Sequence, residues 1–375
     1  MEAGVKKLLA SLAVVGTAAT VSLAAQSTPS APARQAGGAS ATVAPKPTPA
    51  AGSWKVPRTT DGKPDFQGVW SNNSVTPMTR PTQWQDKASL TEAEVNELRM
   101  LMSKAVDEGG DAIFTSIVQL ALDLKEKGKF DQTSYDSSTG NYNQFWMVER
   151  DWDNRTSLIA DPPNGQMPAQ TPEALARQTR GRGNGVVVQG SESGPRGPAD
   201  GPEDRSLSER CISYGAPRTG SGINSYLQIV QAPETVVILQ ETIHDARVVP
   251  MDGRPHLPQD VRQLHGDPRG HWEGDTLVVE TTNFTDGFQG STPNVKIIER
   301  FSRPERNFLN WQLTVIDPDT WVQPWTFMIR LKHTDDQLYE YACHEGNHSM
   351  IGILAGARAD EAKAAAALKP APTPR

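Results

Sequence analysis

All seven histidines of this 375-residue chain lie between His244 and His348. Imidazole has an ordinary pKa of about 6.5, which suits proton transfer at neutral pH. Histidines clustered with Arg, Asp and Glu therefore mark a candidate acid–base or ligand site. The first constellation is His244-Asp245-Ala246-Arg247, running on through Asp252-Gly253-Arg254 to His256. On a strand, Asp245 and Arg247 share one face and His244 the other, so either set could look inward. Arg254 and His256 follow a turn onto an irregular rim, where they suit an anion or a sugar hydroxyl; surface ion pairing would leave the same letters.

A second constellation is His265-Gly266-Asp267 with Arg269-Gly270-His271-Trp272-Glu273. Trp272 can pack, and His271 and Glu273 share a face if the segment is extended, although most such segments are turns with exposed polar tips. The third is Cys343-His344-Glu345-Gly346-Asn347-His348, which contains H-E-x-x-H. On a helix that string puts two imidazoles on one zinc ion with the glutamate as general base. Here it follows Tyr339–Cys343, which reads as a strand. Gly346 would also cost about 1 kcal/mol relative to Ala in a helix. Beyond His348 the acidic residues are Asp360 and Glu361, in a segment expected to fray, so a third ligand is wanting. A divalent metal held by His344 and His348 is thus the minor expectation, and no other cofactor is expected. A metal-free rim fits better, with His244, Asp245, His344 and Glu345 in acid–base roles and Arg247, Arg254, His256, Trp272 and Asn347 contacting a ligand. No G-x-S-x-G, P-loop or G-x-G-x-x-G after a strand is present.

The elements that would position these groups follow from local pattern. Thr91 and Glu94 form a capping box ahead of Val95, Leu98, Leu101 and Met102, predicting a helix. A second helix is expected from Ala112 to Lys127, stopping at Gly128. Phe66–Trp70 reads as a short strand or clasp, and 141–163 as two strands ending at Pro162-Pro163. From Tyr226 strands become dense: Leu227–Val230, Thr235–Glu241, Arg247–Met251, Gly270–Phe284 with a turn at Gly274-Asp275, Val295–Phe301, Phe308–Ile316, Pro324–Leu331 and Leu338–Cys343. Short strands joined by tight turns predict an antiparallel β-barrel or sandwich with a small N-terminal helical subdomain. A closed barrel of about eight strands can hold one small ligand.

The flanks speak to compartment. Lys6 and Lys7 precede an uncharged apolar run, Leu8–Leu23, and Ser22-Leu23-Ala24 supplies small residues for a cut. Residues 1–26 are therefore expected to be a signal peptide, the run being too short and too diluted for a membrane span. No cysteine lies there to carry a lipid. Residues 27–53 read as a disordered Ala/Pro-rich spacer. The expected order continues with an N-terminal clasp, helical pair and strands (54–176), a Gly/Arg-rich loop (177–203), a β body (204–358) and an Ala/Pro-rich tail (359–375). Cys211 and Cys343 could pair in an oxidising compartment or remain two buried thiols. The net charge of −7 is mild, and no basic patch with interleaved aromatics points to nucleic acid.

Several strings, NYNQFW, RTSLIADPPNG, IHDARVVPMDGRPHLP, RGHWEGDTLVVETTNF and YEYACHEGN, resemble a set of exported proteins of unknown function abundant in acidobacteria and similar soil bacteria. The resemblance spans about 54–358. It implies export and these domain boundaries, with no activity attached. Tyr often stands in those proteins where this chain has His348, which makes the H-E-x-x-H string accidental. Three readings follow. The chain is a periplasmic or extracellular protein with a small-molecule pocket for a sugar-derived or aromatic compound, acting as a hydrolase or lyase; a non-catalytic ligand-binding or envelope protein; or a zinc-dependent hydrolase.

Overall fold

The computed structural model describes residues 54–107, 117–129, 150–183, 199–222 and 224–367. The expected signal peptide and spacer, residues 141–149 of the stretch expected to form two strands, residues 184–198 of the long loop and the Pro-rich end of the tail lie outside the described residues.

The strands are β1 (Gly68–Ser71), β2 (Ile159–Asp161), β3 (Tyr226–Ala232), β4 (Thr235–Gln240) and β5 (Ala246–Pro250), then β6 (Asp267–Glu273), β7 (Thr276–Thr282), β8 (Lys296–Glu305), β9 (Phe308–Ile316) and β10 (Trp325–Thr334). They form one antiparallel sheet in the order β5-β4-β3-β1-β10-β9-β8-β7-β6, with β2 added on β10. Gly274 and Asp275 join β6 to β7, as the sequence predicts, with Glu273 facing Thr276 and Gly274 in the left-handed region at φ +58°. Short antiparallel steps explain the order: each hairpin places the next strand beside the last. β1 and β2 are exceptions: β1 arrives from the N-terminal side to bridge β3 and β10, and β2 adds to β10.

Alternation decides which face is inside. Leu309, Trp311, Leu313 and Val315 on β9, and Phe327, Ile329 and Leu331 on β10, are fully buried and point the same way. Inward residues of β1, β3, β4, β5, β7 and β8 join the same core, so the sheet curls around one interior. The ion pair between Arg247 on β5 and Glu299 on β8 measures the curl. These strands are six steps apart, which would be about 29 Å in a flat sheet. Yet Arg247 Nη2 donates to Glu299 Oε1 at 2.8 Å.

The sheet does not close. Its edge strands, β5 and β6, lie side by side in the same direction without a ladder. His265 meets Asp245 just before both strands begin, and Gly270 sits against Val249 and Met251 further along. A Cβ on Gly270 would fall 2.8 Å from Val249 Cγ1, a side chain with no exposed surface to retreat into. Gly270→Ala should therefore destabilise the protein by about 1–3 kcal/mol through overpacking of this seam. A denaturant midpoint equal to wild type would contradict it.

The interior is full. Trp70, Trp311, Trp325, Phe301 and Phe327 occupy it with at most 1% of their surface exposed, so of the barrel or sandwich expected the structure shows an unclosed, sandwich-like antiparallel sheet around a packed core. A curled sheet of this strand number is just wide enough for side chains to fill. A small cavity of about 10 Å³ opens at one end among Asn72, Arg218, Ser225, Gln240 and Trp311, room for about one water.

The helical part is small. In α1 (Glu92–Asp107) and α2 (Ile117–Lys127), Val95, Leu98, Met102, Val118, Ala121 and Leu122 form a separate core with Val75 and Leu90. The Thr91 box forms as expected: Thr91 N–H donates to Glu94 Oε2 at 2.8 Å, and Glu94 N–H to Thr91 Oγ1 at 3.3 Å. Two further helices are α3 (Pro172–Gly183) and α4 (His348–Ala367). Two expectations are corrected. Leu338–Cys343 is a half-exposed, irregular arm, because β10 ends at Thr334 with β1 and β9 already on its two edges. Asp360 and Glu361, expected in a fraying segment, lie in a helix that begins at His348. Among the described residues no helix is long and apolar enough to cross a membrane.

Candidate functional site

Four segments meet at one rim of the sheet: the loop carrying Ser213, Tyr214 and Arg218, the corner Glu241–Asp245 between β4 and β5, His265 ahead of β6, and the 338–343 arm. The corner is tightly bent, with Ile243 at φ 55° and His244 at φ 58°. A β-branched residue at positive φ is a true outlier, and it persists only where surroundings over-determine it. Here His244 N–H donates to Glu241 O at 3.3 Å. Thr242 Oγ1 donates to Asn224 O at 2.6 Å and also accepts a hydrogen bond from Arg218 Nη1. The arm closes over the corner, with Tyr341 N–H donating to His244 Nε2 at 3.1 Å.

The bend turns Asp245 inward, where it is 7% exposed. Ser213 Oγ donates to Asp245 Oδ2 at 2.7 Å. His265 Nε2 lies 3.3 Å from Asp245 Oδ1 and 3.0 Å from Ser213 Oγ. Ser213 Oγ also accepts from Gly215 N–H at 2.8 Å. With its proton given to Asp245, the serine oxygen accepts, so Nε2 of His265 is the protonated nitrogen. Among the described residues Nδ1 has no hydrogen-bond partner, which leaves it as the basic nitrogen. A carboxylate that fixes one imidazole tautomer is the usual way to aim the other nitrogen. Burial pulls the His265 pKa below its ordinary 6.5, as does the Arg247 charge, while Asp245 pulls the other way. Ser213 is 2% exposed with its proton committed to Asp245, so the order of contacts is not that of a serine nucleophile.

Glu241 is shifted in the opposite sense. Burial raises its carboxyl pKa against the backbone N–H groups of Tyr226 and Tyr339 and the charge of Arg218. Its Oε2 has no hydrogen-bond partner among the described residues. Arg218 lies within electrostatic reach of Glu241 and Asp245 and 5.1 Å over the Tyr214 ring. Tyr214 meets Tyr341 of the arm edge to face at 6.3 Å. Cys211 and Cys343 form a disulfide, Cα to Cα 5.6 Å, that fastens the arm to the serine loop.

The residues singled out from sequence are divided between this rim and other places. Asp245 and His244 belong to it, Asp245 inward and His244 exposed. Arg247 lies in the interior, paired with Glu299 and with its side chain 1% exposed, so its guanidinium is not open to a ligand. Arg254 is an exposed partner of Asp252. His256 lies 3.1 Å from Asp267 and 3.4 Å from Glu280, each of which also holds a cation, Arg269 and Lys296. Trp272 packs on Phe66 at 5.5 Å between centroids. His271, with Glu273 and Arg300, is a surface ion cluster. Asn347 Nδ2 donates to Glu209 O at 3.1 Å and touches Cys211 Sγ, which makes it a brace of the disulfide. His344, Glu345 and His348 are exposed, with His344–Asn347 in a turn and His348 opening α4. Among the described residues no group of three or more His, Cys, Asp or Glu is placed to hold a metal ion. The H-E-x-x-H residues therefore do not fit a zinc centre.

Ser213, Tyr214, Arg218 and Glu241 escaped the sequence reading, and His265 passed as the tip of a turn. Their contacts join residues 32 and 52 positions apart, beyond the reach of strand or helix spacing. No protein-family model, curated protein or solved structure matches this chain.

Proposed function

We propose that this is an exported β protein, kin to the soil-bacterial set its strings resemble, with a metal-free acid–base site at the His265 rim. His265 Nδ1 is the proton acceptor, held by Asp245 and Ser213, and Glu241 is the proton donor. The ligand is a small polar compound, sugar-derived or aromatic, faced by Tyr214, Tyr341 and His244, and the reaction is a hydrolysis or an elimination. The observation that carries this reading is the pair of oppositely shifted groups at one rim, an imidazole held neutral and a carboxyl held toward its acid form. Groups pushed apart in this way are the mark of an acid and base sharing one reaction. The disulfide supports an oxidising compartment.

The test is a turnover screen over aryl glycosides, uronides and aromatic esters with wild type, His265→Gln and Glu241→Gln. Loss of an acid or base should lower the rate about 100-fold or more. Turnover that survives both substitutions removes the assignment. The filled interior favours a second reading, a non-catalytic binding or envelope module using the same rim; saturable binding without turnover would select it.

A further inference from the structure

Among the described residues, the buried and half-buried guanidinium groups almost all have partners. Arg247, Arg155, Arg205 and Arg269 pair with carboxylates. Arg80 and Arg303 give their N–H groups to backbone carbonyls. Arg150 and Arg218 do neither. Arg218 makes one side-chain hydrogen bond, to the Thr242 hydroxyl. Arg150 has no hydrogen-bond partner among the described residues, and its Nε is buried.

Both groups lie against one short turn, Thr219-Gly220-Ser221-Gly222. A Cβ built on Gly220 would stand 3.6 Å from Arg218 Nε, and one on Gly222 would stand 3.3 Å from Arg150 Cζ and closer still to Nη1. Gly222, at φ +99°, thus leaves space that the Arg150 fork uses. Asn72 pins the turn from below: its Nδ2 donates to Thr219 O at 3.1 Å and Gly220 O at 2.9 Å, and its own carbonyl accepts from Gly222 N–H at 3.0 Å. The carbonyls of Thr219 and Gly220 are thereby engaged, and that of Gly222 accepts from Ser225 Oγ at 2.5 Å. Among the described residues the N–H groups of Gly220 and Ser221 have no partner. Two guanidinium groups desolvated by burial thus lie beside a turn whose exposed Gly220 and Ser221 N–H groups can also donate, and the planar Arg fork matches a carboxylate or phosphate.

We propose that Arg150, Arg218 and the Gly220–Gly222 turn form a subsite for an oxyanion group, carboxylate or phosphate. Arg218 stands within electrostatic reach of Glu241 and Asp245. The subsite thus adjoins the acid–base rim, and in holding the anionic end of that site's ligand it rests on the reading above.

The experiment measures binding of inorganic phosphate, succinate and acetate to the full chain by calorimetry and thermal shift, at constant ionic strength set with chloride. Wild type should bind one of these anions saturably. Arg150→Met should weaken that binding at least tenfold while keeping the wild-type circular dichroism. Arg150→Lys, which keeps the charge and loses the fork, should fall between, and Lys363→Ala on exposed α4 should match wild type. No anion-specific binding, or equal binding by Arg150→Met, overturns the subsite. If Arg150→Met fails to fold, Arg150→Lys decides, with unchanged affinity counting against the proposal. Anion binding without turnover would leave the subsite standing and remove the catalytic reading; His265-dependent turnover without anion binding would do the reverse.

Discussion

Glu299→Ala should destabilise the fold by about 3–5 kcal/mol, because it strands an arginine in a dry core. Glu299 is fully buried and its partner Arg247 is 1% exposed at the side chain. The carboxylate accepts from both terminal nitrogens of Arg247 and from Trp311 Nε1 at 2.9 Å. Removing it leaves a guanidinium whose Nε is already unpaired and an indole N–H with nothing to meet. A domain of ordinary stability, about 5–15 kcal/mol in all, would lose a large share. The double variant Arg247→Met with Glu299→Leu should be less destabilised than Glu299→Ala, since the pair's desolvation cost disappears along with its attraction. Urea midpoints of the three proteins settle the matter, and a Glu299→Ala midpoint within about 1 kcal/mol of wild type would show that the pair is not insulated.

Loss of the disulfide should cost a comparable amount by a different route. Cys211 and Cys343 are 132 residues apart, so the bridge removes much of the freedom of the unfolded chain, worth about 5 kcal/mol in the chain-entropy account. Its local effect falls on the arm. Without the staple, the arm residues 338–343 keep the Tyr341 hydrogen bond to His244, the Tyr214–Tyr341 ring contact and the backbone link from Tyr339 to Glu241. Cys211→Ser with Cys343→Ser should therefore lower the unfolding midpoint and speed amide exchange at Tyr339 and Tyr341 more than at β9. An unchanged midpoint with unchanged exchange in the arm would contradict both parts.

The fold was legible where local pattern and pairing agree. β3, β4, β8 and β9 follow apolar alternation, and the β6–β7 turn follows from Gly274. Alternation misled at Leu338–Cys343, where the letters suit a strand but both edges of the preceding strand, β10, are already taken. It also left the facing of Asp245 and Arg247 open. Glu299 held the answer, since it stands in phase with Ile297 and Phe301 on β8, a carboxylate on a core face that demands a buried cation. At the site, Asp245 and His244 were legible as chemistry-bearing residues, but their setting was not. Ser213 and His265 reach Asp245 only because the sheet curls until β5 and β6 lie together, a long-range result that no short window of sequence contains.

Nitrogen-detected NMR of His265 across pH reads out whether the rim holds a neutral imidazole with Nδ1 as its base. The expected spectrum is that of the Nε2–H tautomer, with an apparent pKa below 6.5. Because the folded protein then binds this proton more weakly than the unfolded chain, the His265 contribution to stability is retained above about pH 6.5 and lost as pH falls below it toward the folded value. An Nδ1–H tautomer, or a pKa at or above 6.5, would contradict the assignment of His265 as the base.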